Sequence, residues 1–97
     1  MIMKVSEIKM GLSNVSVTAK VVDVGDTREV MTRYGRRNVA NATIEDDTGE
    51  ISLSLWQDQI DRVKIGNTVN ITGAYVSEFG GKLQLNIPRS GSIEITG

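Results

Sequence analysis

Residues 43–56 constrain the fold of this chain most strongly, because they predict a strand, a tight turn and a second strand. The sequence here is Thr-Ile-Glu-Asp-Asp-Thr-Gly-Glu-Ile-Ser-Leu-Ser-Leu-Trp. Asp-Asp-Thr-Gly is typical of turns, since short polar side chains bond their own backbone there. The second strand alternates: Ile51, Leu53 and Leu55 point to one side, and Ser52, Ser54 and Trp56 to the other. A tryptophan buried for its apolar area belongs on the side of Ile and Leu. The alternation therefore predicts that Trp56 lies on the polar face of the sheet.

The composition narrows the possible functions. With 97 residues the chain is expected to form one domain over 1–97. It has no cysteine and no histidine, which excludes disulfides and thiolate metal sites and removes the usual general base. No apolar run is long enough to span a membrane and no signal peptide is recognisable. We therefore expect a cytoplasmic protein without a membrane partner.

The charges are unevenly distributed although the net charge is only −1. One stretch combines four arginines with a single acid: Arg28, Arg33, Arg36 and Arg37, with Glu29. Residues 34–35 predict a hairpin turn within it, so we expect a protruding basic arm that attracts an anionic partner. The alternative is a solvated loop that only keeps the protein soluble. Acids gather instead around the turn at 45–50.

Alternating apolar residues predict five main strands: 14–24, 39–45, 51–56, 68–79 and 82–87. Residues 57–64 break this pattern and predict one short helix, in which Ile60 and Val63 pack on the core. A short final pairing is expected at 92–96. Five strands with a helix between the third and fourth predict an all-β fold, a five-stranded Greek-key barrel of the OB-fold type.

Two changes in the alternation predict β-bulges. The residues that face inward change from odd-numbered to even-numbered positions after Val21, within the first strand, and again at Gly73, within the fourth. With the second bulge in place, Tyr75 faces outward; without it, Tyr75 would face the core.

The sequence does not favour an enzyme. The turn itself explains Asp46 and Asp47, and Gly80-Gly81 leads into a strand rather than a helix, so it forms no phosphate-binding loop. We predict no catalytic residue, no metal, no cofactor and no small-molecule substrate.

The aromatic residues instead predict a binding surface. There are four of them, Tyr34, Trp56, Tyr75 and Phe79, and the alternation assigns none of them clearly to the core. Bases of a single nucleic-acid strand stack on such rings with little regard to base identity. All four rings, Tyr34 included, are therefore candidate stacking residues. The alternative is that Trp56 and Tyr75 only cap the barrel end or cover the helix.

Charged and polar residues complete the predicted site. The predicted phosphate contacts are Arg28, Arg33, Arg36, Arg37 and Lys82. The outward polar side chains predicted to line the same face are Asn41, Thr43, Ser52, Ser54, Gln84 and Asn86.

These motifs resemble a known family. Ile-Glu-Asp-Asp-Thr-Gly-Glu-Ile-Ser-Leu-Ser-Leu-Trp, with the later Gly-Ala-Tyr-Val-Ser-Glu-Phe-Gly-Gly-Lys-Leu-Gln-Leu-Asn, resembles the OB-folds of archaeal single-stranded DNA-binding proteins and of archaeal replication protein A. The resemblance covers residues 5–87. It implies that Trp56, Tyr75 and Phe79 stack on DNA bases. The middle position is commonly tryptophan in the simplest members, so Tyr75 offers a smaller ring.

The resemblance also implies a functional context. Single-domain members carry a Gly/Arg-rich tail with an acidic end, and this sequence ends at Gly97 without one. Either the tail was removed or the sequence is one OB domain of a longer replication protein A chain. We favour the second interpretation, with other OB domains and replication or repair proteins as expected partners. The expected function is sequence-tolerant binding of single-stranded DNA in replication, recombination and repair, at the nucleoid of a prokaryote. A protein-interaction OB module and a single-stranded RNA binder are the alternatives.

Overall fold

The computed structural model describes residues 2–88 and 90–97, and for Phe79 the backbone but not the side chain. A 3-10 turn at Val5–Glu7 precedes the sheet. The strands and the α-helix follow in this order: β1 (Val15–Val24), β2 (Arg28–Thr32), β3 (Gly35–Asp46), β4 (Gly49–Trp56), α1 (Asp58–Arg62), β5 (Thr68–Phe79), β6 (Lys82–Asn86) and β7 (Ser92–Thr96).

Five of these strands close in a ring. β1 pairs with β3, β3 with β4, β4 with β6, β6 with β5, and β5 again with β1. Only the β4–β6 pairing is parallel. The five ring strands are the five predicted from the sequence, and α1 lies between the third and fourth of them, so the predicted all-β OB-fold is confirmed. β2 extends the ring as an arm on β3, and β7 pairs with β5 as expected.

Aliphatic side chains fill the interior of the ring. The inward positions of the predicted strands are buried, as the alternation requires: Val15, Val17, Ala19 and Val21 of β1; Ala40, Ala42 and Ile44 of β3; Ile51, Leu53 and Leu55 of β4; Val69, Ile71, Ala74 and Val76 of β5; and Leu85 of β6. From α1 and its end, Val63 is buried and Ile60 packs against the core, as predicted. No charged side chain is buried among the described residues.

Both predicted bulges are present. In β1 the register against β3 shifts between Val21 and Asp23. In β5, Ala74 pairs with Val15 and Ile71 with Val17, so β5 carries one extra residue there. Gly73 within this bulge has a φ of +75°, and a Cβ atom on it would lie 3.1 Å from the Gly91 backbone. Only glycine fits this left-handed conformation without strain.

The turn at 46–49 also anchors the N-terminal segment. The carboxylate of Asp46 accepts hydrogen bonds from the Val5 amide at 2.9 Å and from the Thr48 amide and hydroxyl at 2.7 and 2.6 Å. Burial raises the pKa of the Asp46 carboxyl, but these bonds and one from the Gly49 amide outweigh burial and lower the pKa to about 2. The neighbouring side chains add Lys4–Asp47 and Ser6–Thr48 contacts. The two aspartates therefore have the structural role expected from the sequence.

Two local details differ from the sequence-based expectation. The arm hairpin turns at Arg33-Tyr34, one residue earlier than predicted, because Thr32 pairs with Gly35. Val39 has the outward parity predicted for it, yet it is only 3% exposed. Its neighbours on the outer face explain this burial, as described below.

Candidate nucleic-acid interface

The predicted polar residues lie together on the outside of the ring. Residues paired across strands share a face, and the ladders align Thr43 of β3 with Ser52 of β4, Ser52 with Gln84 of β6, and Gln84 with Ser77 of β5. We call this surface, formed by the outward side chains of β3, β4, β6 and β5, the polar face. Asn41 lies on it opposite Ser54, and Asn86 opposite Tyr75.

Trp56 lies at one end of the polar face, as the alternation predicted. It pairs with Val39, which in turn pairs with Arg28 of the arm. Paired side chains on one face have Cβ atoms about 4.5–5.5 Å apart, so the indole and the stem of Arg28 flank Val39. This explains why Val39 is buried although it is not part of the central core cluster. The ring of Trp56 is itself only partly buried, so it retains an accessible surface.

Hydrogen bonds fix the backbone at Trp56. Its amide donates to the Gln59 side chain at 3.1 Å. The following residue, Gln57, has a φ of +55°, which turns the chain sharply from β4 into α1. Gln57 and Asn38 are joined twice: the Gln57 amide donates to the Asn38 carbonyl and the Asn38 amide donates to the Gln57 side chain, each at 3.0 Å. The indole is thus attached to a rigid backbone.

Tyr75 projects from β5 onto the same face and is 44% exposed. Its outward orientation depends on the bulge at Gly73, as predicted. Asn86, its partner across the β5–β6 ladder, donates from Nδ2 to the Ser77 hydroxyl at 2.8 Å. A partly exposed ring beside side-chain amides is suited to stacking on a base while the amides bond to its edge.

Two polar residues lie deeper in the face than the sequence suggested. Ser54 is only 2% exposed, and its hydroxyl accepts a hydrogen bond from the Gln84 amide. It therefore holds Gln84 in place rather than presenting its own hydroxyl. The Oδ1 atom of Asn41 is buried without a hydrogen-bond partner among the described residues.

The arm distributes its arginines over two faces. Arg28 pairs with Val39, so Arg28 and Arg37 share the face of Trp56. Arg36 pairs with Met31, so its side chain lies on the opposite face of the hairpin from Arg37. It also forms an ion pair with Glu29 at 3.5 Å. The structure therefore brings two of the predicted phosphate contacts beside the indole and directs a third to the other side; Arg33 lies in the turn.

Tyr34 is separated from the other aromatic residues. It occupies the tip of the arm and is 71% exposed. The strand from Gly35 to Val39 spans about 13 Å, so Tyr34 lies at least that far beyond the level of Trp56. The structure does not combine it with the other rings into one continuous stack.

The hairpin between β5 and β6 carries the remaining predicted contacts. The backbone of Phe79 pairs with Lys82 across the hairpin, and the register gives Lys82 the parity of the polar face. The side chain of Phe79 lies outside the described part of the structure, so its predicted stacking role stays a prediction. Lys82 is exposed.

Three features of the site were not found from the sequence. These are the support of Trp56 by Val39, the bonds that Gln57 and Gln59 provide, and the contact of the N-terminal segment with the β3–β4 turn. Alternation alone marks Val39 as an outward residue and gives no sign that it is covered. The other two depend on side chains that meet only in the folded chain.

Within residues 2–88 and 90–97, no cluster of acidic residues is arranged to hold a metal ion. The one α-helix found in that part of the chain is too short to cross a membrane.

Comparison with known proteins identifies relatives with this architecture. The chain is 34% identical over 83 residues to the single-stranded DNA binding protein Ssb of Saccharolobus solfataricus, a match that covers 86% of this chain and 56% of that protein. It is 34% identical over 97 residues to Replication factor A of Methanothermobacter thermautotrophicus, covering 94% of this chain and 12% of that protein. The chain therefore spans about half the length of the first relative and a small part of the second.

Solved structures agree with the sequence comparison. An OB domain from Thermoplasma acidophilum superposes with a TM-score of 0.85 at 27% identity, over 98% of this chain and 86% of that one. The family model described as single-stranded DNA binding protein Ssb-like, OB fold, matches residues 7–95. The chain therefore belongs to the Ssb-like family of OB-fold single-stranded DNA-binding proteins, which are binding proteins and not enzymes.

Proposed function

We propose that this domain binds single-stranded DNA without strong sequence preference, and that it serves replication, recombination and repair. The observation that carries the proposal is the position of Trp56: it lies on the polar face, directly across the β3–β4 ladder from Val39, instead of in the core. Tyr75 adds a second exposed ring on that face. Base stacking on such rings contributes about 1–3 kcal/mol per base and tolerates any base, because every base has a π-face.

The phosphates are proposed to follow the basic side of this surface. Arg28 and Arg37 share the face of Trp56, and Lys82 lies at the β5–β6 hairpin. This distribution explains how a chain with a net charge of −1 can bind a polyanion. An OB-fold typically covers about 4–16 nucleotides. Further OB domains on the same chain would raise the affinity through effective concentration.

The first test measures binding through Trp56. Because Trp56 is the only tryptophan, its fluorescence reports directly on this site, and we expect oligo-dT to quench it to a saturable end point. Unchanged fluorescence at saturating DNA would contradict the stacking role. A parallel titration with oligo-rU distinguishes DNA from RNA preference, since only RNA carries the 2′-hydroxyl.

The second test removes the ring. Trp56→Ala should weaken oligo-dT binding by about 1–3 kcal/mol, or roughly 5- to 150-fold, measured by anisotropy of a labelled oligomer because the variant has no tryptophan. Trp56→Phe is the matched control and should retain most of the affinity. Sedimentation with and without oligo-dT completes the test: self-association without DNA binding would favour a protein-interaction module instead.

A further inference from the structure

A cleft of about 350 Å³ opens at the end of the polar face remote from Trp56. Its lining includes the aliphatic residues Val5, Ile51 and Leu83, which are buried or partly buried and so form its floor. Thr43 and Ser52 also line it, and the exposed residues Glu50 and Lys82 form its rim. Its volume is near the lower end of the ~300–1,000 Å³ range of small-molecule sites.

The cleft exists because two ring strands separate here. The β4–β6 ladder contains the pairs Ser52–Gln84 and Leu53–Leu85. Ahead of these pairs, the first residues of β4 pair with β3 and the first residues of β6 pair with β5. A gap therefore opens between the starts of β4 and β6. The N-terminal segment contributes Val5 to the lining, and the Val5 amide is fixed by its hydrogen bond to the Asp46 carboxylate at 2.9 Å. The cleft is therefore a product of the fold and not of a flexible loop.

Its location continues the proposed DNA path. Tyr75 lies opposite Asn86, and four residues further along β5 the backbone of Phe79 pairs with Lys82, which is at the rim of the cleft. A strand that passes along the outward positions of β5 therefore arrives at the cleft with a cation beside it. On one side of the cleft the surface is acidic, because Glu50 of the lining pairs directly with Glu45 across the β3–β4 ladder. A neutral base is better accommodated there than a phosphate.

We infer that the cleft holds one nucleobase of the bound strand, and that Glu50 accepts a hydrogen bond from its exocyclic amino group. This inference rests on the proposed function. Lys82 binds the adjoining phosphate, the aliphatic floor contacts the face of the base, and the hydroxyl groups of Thr43 and Ser52 bond to its edge. An ionised carboxylate only accepts hydrogen bonds. Glu50 therefore favours cytosine or adenine, which carry an amino group, over thymine, which carries a carbonyl at the equivalent position.

The experiment compares three oligomers that differ at one base. An oligo-dT of about 12 nucleotides is titrated against the same oligomer with one central dC or one central dU. Cytosine and uracil both lack the methyl group of thymine and differ only in the hydrogen-bonding groups at C4 and N3, so dC against dU tests the hydrogen-bonding edge of the base. We expect dC to tighten binding about fivefold and dU to leave it unchanged.

Two variants identify the residue responsible. Glu50→Ala should abolish the preference for dC. Glu45→Ala is the matched control: it removes the same charge and the same cross-strand repulsion, but Glu45 does not line the cleft, so the preference for dC should remain. Equal affinity of the wild-type protein for dC and dU oligomers would overturn the inference, as would an equal loss of preference in both variants. Failure to bind any of the oligomers would instead overturn the proposed function.

Discussion

At the scale of single residues, the position of Trp56 depends on a partner that the alternation does not reveal. Val39 is outward by register but almost fully buried, because the indole and Arg28 flank it. A small, stiff aliphatic side chain next to a large ring restricts where the ring can lie. If Trp56 stacks on bases as proposed, this restriction reduces the entropy lost when a base binds.

Shortening this support should loosen the ring. Val39→Ala removes two methyl groups and is expected to cost about 1–2 kcal/mol of unfolding free energy, to lower the fluorescence anisotropy of Trp56 and to weaken oligo-dT binding several-fold. Val39→Ile should preserve both readouts. Val69→Ala is the control, because Val69 is fully buried in the core cluster: it should lower stability while leaving Trp56 anisotropy unchanged. Equal anisotropy in both alanine variants would contradict the supporting role of Val39.

A second residue-scale prediction concerns acid stability. The bonds that Asp46 accepts lower the pKa of its carboxyl from 3.8 to about 2 in the folded protein. The stabilisation is therefore complete above about pH 4 and is lost as the pH falls towards 2. The unfolding free energy of the wild-type protein should decrease more steeply between pH 4 and 2 than that of Asp46→Asn, measured by urea denaturation. Parallel pH profiles for the two proteins would contradict this assignment.

At the scale of elements, the basic arm is a regular β-hairpin and not an irregular loop. β2 and β3 pair without interruption from Arg28–Val39 to Thr32–Gly35. Regular pairing places alternate side chains on opposite faces. The four arginines, which look equivalent in the sequence, are therefore not equivalent in their relation to Trp56.

This difference can be measured through the dependence on salt. Arg37→Ala should reduce the slope of log affinity against log salt by about 0.7, the value for one phosphate contact with a single strand. Arg36→Ala is matched in charge and is only one position away, but its side chain has the opposite parity and pairs with Glu29 at 3.5 Å. It should change the slope less. Identical slopes for the two variants would indicate that the arm acts only as a diffuse positive charge.

At the scale of the whole molecule, closing the ring and building the binding face depend on the same irregularity. β5 must pair with β1 on one side and with β6 on the other, and the extra residue at the Gly73 bulge changes its parity between these two pairings. Ile71 and Ala74 can then both face the core while Tyr75 faces outward. The bulge thus gives a strand that closes the ring an outward aromatic residue, Tyr75, on the polar face.

A substitution in the bulge should therefore lower the free energy of unfolding by more than the conformational strain alone. Gly73→Ala is expected to lose about 1–2 kcal/mol for the left-handed backbone, and more because its Cβ would lie 3.1 Å from the Gly91 backbone. Gly80→Ala is the control, since Gly80 also has a positive φ, +61°, but no atom lies within 4 Å of its Cβ position. Thermal unfolding should show the larger loss for Gly73→Ala. Equal losses would mean that the neighbouring backbone moves aside.

The sequence by itself determined which residues face the core and which face outward. Strict alternation, turn residues and two changes of parity predict the ring strands, both bulges and the outward positions of Trp56 and Tyr75, because side-chain direction in a strand depends only on local geometry. The same rule correctly places Ile51, Leu53 and Leu55 in the core cluster. The direction of a side chain along a strand is a short-range property, so a single sequence is sufficient to predict it.

Only the tertiary structure decided how the outward residues are used. Val39 and Ser54 are outward by alternation, yet neighbours on adjacent strands cover them. The arm's arginines divide between two faces because of its register with β3. The cleft beside Glu50 forms where β4 and β6 separate, and Val5 of the N-terminal segment is part of its lining. Each of these features depends on contacts between residues far apart in the chain. Alternation within one strand carries no information about such contacts.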